Sequence, residues 1–151
     1  GFDPGFVQDN QSKSSYGVIR GLHLQKGEFA QAKLVRVLEG AVLDVAVDAR
    51  PESETFGQFV MVELSAENKR QLYVPRGFLH GFSVISESAT FFYKCDNYYN
   101  AEADGGIAFD DPNLSIDWPI AINKAITSDK DLKHPTLKEF ESENPFVYGE
   151  I

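Results

Sequence analysis

Ala41-Val42-Leu43-Asp44-Val45-Ala46-Val47-Asp48 puts Ala41, Leu43, Val45 and Val47 on one side of an extended chain and Val42, Asp44, Ala46 and Asp48 on the other. A two-residue period of this kind marks a β-strand with one face committed to a core. Runs of similar length lie to either side, over residues 16–24, 33–38, 58–64, 70–74, 81–85 and 89–95. Turn-forming residues separate them: Glu39-Gly40, the segment 48–57 with Pro51, then 65–68, 75–77 and 86–88. Short strands with a turn about every eight to twelve residues predict an all-β antiparallel sandwich or barrel, not alternating strands and helices.

The flanks are less regular. Residues 1–5 have the character of a loop, and the polar segment 8–15 is expected to be irregular. From Asn97 to Asp117 the chain is rich in Asp, Asn, Gly and Tyr, and Trp118-Pro119 stops any regular element there. Residues 127–132 suit a short helix, with Ser128 as N-cap and Asp131 three positions on in a capping-box arrangement. The acidic tail over 136–151, with Phe140, Phe146 and Tyr148, is expected to be ordered only in part.

Residues 1–151 are the length of one domain, and a chain of this size buries roughly 68–70% of its unfolded surface, which allows one hydrophobic core. With 42% hydrophobic residues, the composition is that of a packed protein and not of a disordered one. No apolar run approaches the roughly 20 residues of a membrane span, and no secretory leader pattern is present. The single cysteine, Cys95, cannot form an internal disulfide, which points to a reducing, cytoplasmic setting. A net charge of −9 opposes binding to nucleic acid, because no basic face is available to neutralise phosphates. An anionic small ligand still fits if the few cations converge in one cleft.

Pro75-Arg76-Gly77-Phe78-Leu79-His80 has the form Pro-x-Gly-x-x-His and falls between two strand runs. It resembles the second conserved motif of the cupin superfamily, which implies a jelly-roll (double-stranded β-helix) barrel. The first cupin motif supplies a His-x-His pair and a Glu ahead of a Gly. The matching positions here are His23-Leu24-Gln25 and Lys33, with Gly40 downstream. A lysine in place of a carboxylate repels a cation, so no metal is expected at this motif. Two histidines and a lysine instead make an acid–base and anion-stabilising pocket.

The match extends further. Arg20-Gly21-Leu22-His23, Gln31-Ala32-Lys33-Leu34-Val35-Arg36, Asp44-Val45-Ala46-Val47-Asp48, residues 75–82, Phe92-Tyr93-Lys94 and Asp117-Trp118-Pro119 together resemble the dTDP-4-dehydrorhamnose 3,5-epimerases over residues 6–135. The resemblance implies an enolate mechanism on a dTDP-4-keto-6-deoxyhexose, with no cofactor and in a homodimer. His23 is then the base, Tyr93 the acid, Lys33 the cation at the enolate oxygen, and Asp131 the carboxylate that orients the base. Gln8, Asp9, Asn10, Arg20, His80, Asp104 and Lys130 fall at the family's substrate-binding positions, Asp104 where the family carries Glu. The family's N-terminal arm, with an Arg and a Glu that reach the substrate, is missing from residues 1–151 as read.

Each residue taken alone has a plainer explanation. His23 fits a core histidine, Tyr93 a core tyrosine, Asp131 a helix cap with Ser128, Lys33 a strand-edge charge, Lys130 a solvated lysine and His80 a turn residue. His134 and Cys95 are read as structural. A single enolising pocket accounts for the ordered set together. Strict alternation, however, sends Arg20 and His23 to opposite faces, and a bulge at Gly21 is the expected remedy. Two other readings stay open: an epimerase acting at C3 or C5 alone, and a non-catalytic cupin that binds a sugar or nucleotide.

Overall fold

The computed structural model describes residues 3–142. Nine strands are found among them: β1 (Gln8–Ser15), β2 (Ile19–Gln25), β3 (Lys33–Glu39), β4 (Ala41–Asp48), β5 (Phe59–Ser65), β6 (Gln71–Val74), β7 (Phe78–Val84), β8 (Ser88–Cys95) and β9 (Asp104–Gly106). They form two antiparallel sheets, ordered β1-β8-β3-β6 and β5-β4-β7-β2-β9. The pairing is nested: β1 with β8, β2 with β7, β3 with β6 and β4 with β5. That is a long hairpin rolled on itself, the jelly roll expected from the sequence. No helix among the described residues is long and apolar enough to cross a membrane.

The barrel interior and the outside of the second sheet are both packed. Val35, Val37 and Phe91 of the first sheet meet Val42, Leu64, Phe82 and Val84 of the second. On the opposite face, Ile19, Leu22, Val45, Val47 and Leu79 are covered by the chain that follows β9, through Ile107, Phe109, Trp118, Leu137 and Phe140. Burying a side chain of this size is worth about 1.5–3 kcal/mol, so the C-terminal segment is an integral layer. Strand β4 therefore buries both of its faces from Asp44 to Asp48, not the single face its alternation implied.

Several boundaries differ from the sequence reading. Residues 8–15 are a full strand, because β8 pairs with every one of them from Gln8↔Cys95 to Ser15↔Ser88. Tyr16 and Gly17 make a turn, so the second strand starts at Ile19. β7 begins at Phe78, which puts His80 inside a strand and not in the preceding turn. β9 lies in the segment read as irregular. Residues 127–132 form no α-helix; a 3-10 turn, Asp131–Lys133, begins at their end. A helix, α1 (Leu137–Glu141), occurs instead in the supposed tail, with a complete Thr136/Glu139 capping box and Phe140 buried. Residues 143–151, with Phe146 and Tyr148, lie outside the described residues.

β2 carries the expected bulge. Arg20 pairs with Phe82 and His23 with His80, so three steps along β2 match two along β7. The extra residue turns Arg20 and His23 to the same side. Gly21 has φ +119°, and a Cβ there would lie 2.6 Å from Gly81 Cα and 2.8 Å from the His80 carbonyl oxygen. Gly21→Ala is accordingly expected to cost more than about 2 kcal/mol, from overpacking and an unfavourable backbone region. Urea denaturation measures this, and a variant as stable as the parent would contradict the close approach.

Candidate active site

Inside the barrel a cavity of about 260 Å3 is bounded by both sheets. β1 and β3 contribute Asn10, Ser12 and Lys33, and β8 contributes Phe91 and Tyr93. From the second sheet come Arg20 and His23 on β2, and His80 and Phe82 on β7. Phe82 stacks on Phe91 with centroids 4.3 Å apart, closing the apolar end. The inward face of β1 is polar, with Gln8, Asn10 and Ser12 half-buried, whereas Asp9 and Lys13 are exposed and Gln11, also exposed, borders the cavity.

His23 is held from outside the barrel. Its Nε2 lies 2.5 Å from Asp131 Oδ1, on the 3-10 turn that packs against β2. Asp131 is 3% exposed, and its Oδ2 accepts the Gly21 N–H at 3.3 Å. The Ser128 hydroxyl accepts the Asp131 N–H, so half of the expected cap is present, while the Asp131 side chain is committed to β2. Burial alone raises the Asp131 pKa. Contacts with His134 and His23, the charge on His23 and the Gly21 N–H outweigh that and hold the carboxyl well below the usual range. His134 stands edge-on to His23, centroids 5.4 Å apart, with its Nε2 3.6 Å from Asp131 Oδ1.

A second imidazole–carboxylate pair lies one strand away. His80, the cross-strand partner of His23, has Nε2 2.8 Å from Asp44 Oδ1 on β4. Burial pushes the Asp44 carboxyl up, against the pull of His80 and Lys33. Across the cavity, burial lowers the Lys33 ammonium pKa, opposed by Cys95, Asp104 and Asp44. The Lys33 Nζ sits 5.7 Å from the Tyr93 ring centroid, and burial raises the Tyr93 phenol. Sequence reasoning assigned no role to Asp44; a carboxylate in an apolar strand was the available signal.

The remaining expected residues divide. Arg20, His80 and Asn10 line the cavity. Gln8 instead spends its amide on Asn10 and the Tyr99 N–H. The structure turns Asp9 away from the cavity, where it pairs with Lys94 at 2.8 Å, because an odd position on β1 faces outward. Lys130 contacts Asp104 and, with Asp131, borders an adjoining groove that shares Arg20 and His23 with the cavity wall. Gln25, where cupins place a second histidine, is buried and ties down the Phe29 and Tyr98 carbonyls and the Asn100 N–H. An imidazole braced by a carboxylate, a phenol and a poorly solvated ammonium thus share one cavity, groups of the kind that can move a proton next to a carbonyl.

Residues 1–139 match the family model described as dTDP-4-dehydrorhamnose 3,5-epimerase. The Escherichia coli protein of that name is 55% identical over 139 residues, spanning 92% of this chain and 75% of its own. A crystal structure of the Elizabethkingia anophelis protein of the same name superposes with a TM-score of 0.87 at 64% identity, covering 89% of this chain and 73% of that one. A dTDP-6-deoxy-D-glucose-3,5-epimerase from Legionella pneumophila, solved in complex with dTDP-4-keto-L-rhamnose, gives 0.90 at 50% identity, covering 95% and 75%.

The depressed Asp131 pKa has a consequence for stability. A carboxyl whose folded pKa lies below its unfolded value stabilises the fold above that unfolded value and ceases to do so as pH falls. Asp131→Asn should therefore lose about 1.5–3 kcal/mol at pH 7, with the gap to the parent narrowing below about pH 3.9. Chemical denaturation at pH 7 and pH 3 checks it; a gap of equal size at both would exclude the assigned ionisation.

Proposed function

The chain belongs to the dTDP-4-dehydrorhamnose 3,5-epimerase family, and from that membership we propose that it inverts C3 and C5 of dTDP-4-dehydro-6-deoxy-D-glucose to give dTDP-4-dehydro-L-rhamnose. The observation that carries the residue roles is the His23–Asp131 contact, in the wall of a cavity that Lys33 and Tyr93 also line. Both carbons flank the C4 ketone, so loss of either proton leaves an electron pair that moves onto the C4 oxygen. No redox step is required.

In this reading His23 takes the proton from carbon and becomes imidazolium. Asp131 favours that state by supplying a negative charge at the other ring nitrogen. Lys33 faces the enolate oxygen, where its weak solvation strengthens the attraction between the two charges. Tyr93 returns a proton to the opposite face of the carbon, which inverts it. His23 then releases its proton to solvent and Tyr93 is reprotonated before the second centre is turned over. His80, fixed by Asp44, and Asn10 hold the sugar. Arg20 and Lys130, on the groove beside His23, meet the pyrophosphate, and Asp104 keeps Lys130 in place.

One preorganised donor at such an oxyanion is worth about 2.7–4 kcal/mol, so Lys33→Met should lower kcat by about a hundredfold or more. His23→Ala should lose about 10²–10⁴-fold in rate and abolish exchange of substrate hydrogen with D2O at both carbons. Tyr93→Phe should keep some exchange while failing to invert correctly. Mass spectrometry and NMR of product formed in D2O read these outcomes directly. Two deuterons support inversion at both centres, one supports a single-centre enzyme, and none would refute the enzymatic reading.

A further inference from the structure

We propose that His23, Asp131 and His134 form a binding site for a divalent cation of the Zn2+ type, and that the bound ion disables the catalytic pair. One imidazole nitrogen from each histidine and one Asp131 carboxylate oxygen lie within 4.8 Å of one another. A second observation is independent of that convergence. His134 Nε2 is buried and has no hydrogen-bond partner, although its side chain is only 10% exposed and faces the carboxylate. A buried nitrogen with an unused lone pair or proton is costly, and a cation bound between it and Asp131 relieves that cost.

The distances suit the ion after a small adjustment. Zn2+ binds imidazole nitrogen and carboxylate oxygen at about 2.0–2.2 Å in a tetrahedral set, which places ligand atoms about 3.3–3.5 Å apart. The His134–Asp131 separation of 3.6 Å is already close to this. The His23–Asp131 separation of 2.5 Å must open by about 1 Å. On binding, the proton held between His23 Nε2 and Asp131 leaves to solvent, since metal ligands must be deprotonated. The groove that borders His23 and Asp131, lined also by Ser128 and Lys130, gives the ion and its water a route to them. Arg20 and Lys130 on that groove oppose a dication, so affinity is weaker than at a four-ligand structural site.

This site is distinct from the cupin metal position. There Lys33 and Gln25 replace the ligands, whereas here two of the three groups come from a turn outside the barrel. His23 belongs to both walls. An ion that holds its Nε2 displaces the proton that Asp131 shares with it, so the ring can no longer be braced as a base. The inhibitory half of the proposal rests on the role given to His23 above; the binding half does not.

Titration of the metal-free protein with ZnCl2 by calorimetry should show one ion per chain. His134→Gln and His134→Phe should each weaken binding by about tenfold or more, with each variant shown to be folded by its urea midpoint. In the parent, the imidazole NMR signals of His23 and His134 should move together on titration, and activity should fall in step with occupancy and return with chelator. No saturable binding, or binding unchanged in both His134 variants, would overturn the site. Binding as expected with full activity retained would overturn the inhibition alone. A folded, metal-free protein that binds Zn2+ at this site but never turns over substrate would refute the epimerase reading and leave the site standing.

Discussion

Two backbones approach at Gly21 and Gly81 more closely than any side chain would permit, and the arrangement of the cavity follows from that approach. Because β2 carries one residue more than β7 across this point, Arg20 and His23 are not separated by the pleat. A regular ladder would send one of them into the outer core with Ile19 and Leu22. The bulge also leaves the Gly21 N–H free to meet Asp131, so the distortion that aims His23 simultaneously provides a donor for the carboxylate that braces it.

Charge inside the barrel is arranged with the same economy. Lys33, Asp44 and His80 are an ammonium, a carboxylate and an imidazole within one partly dry enclosure. Isolated ions there would be expensive, whereas mutual pairing offsets part of the cost of removing them from water. The overall charge of −9 says nothing of this local balance, since the acids are mostly spread over the exterior. An acidic protein can therefore present cations to an anionic ligand in one place.

How far the fold was legible depended on which way each strand faces. β3, β4 and β8 were readable because apolar residues mark their inward positions. β1 was not, because its half-buried positions Gln8, Asn10 and Ser12 are polar, two of them lining the cavity, and carry no hydrophobic period. β9, at three residues, is too short for any period to register. Within the acidic segment, the Thr136/Glu139 box and buried Phe140 form a short helix that the sequence reading did not place, because acidic residues surround them. At the site, resemblance supplied His23, Lys33, Tyr93 and Asp131. The hydrogen-bonding duty of Gln25 and the link from Asp44 to His80 depend on contacts between segments far apart in the chain, which no local pattern encodes.

That separation bears on synthesis. His23 and Asp131 are 108 residues apart, and a chain elongating at about 5–20 residues per second delivers the carboxylate about 5 to 20 seconds after the imidazole. Strand β1 must likewise wait for β8 before it has a partner. A ribosome-bound chain that has not yet presented Asp131 would hold all nine described strands yet carry an unbraced His23. The bracing of His23 is thus set by the position of one short 3-10 turn and not by the bulk of the barrel.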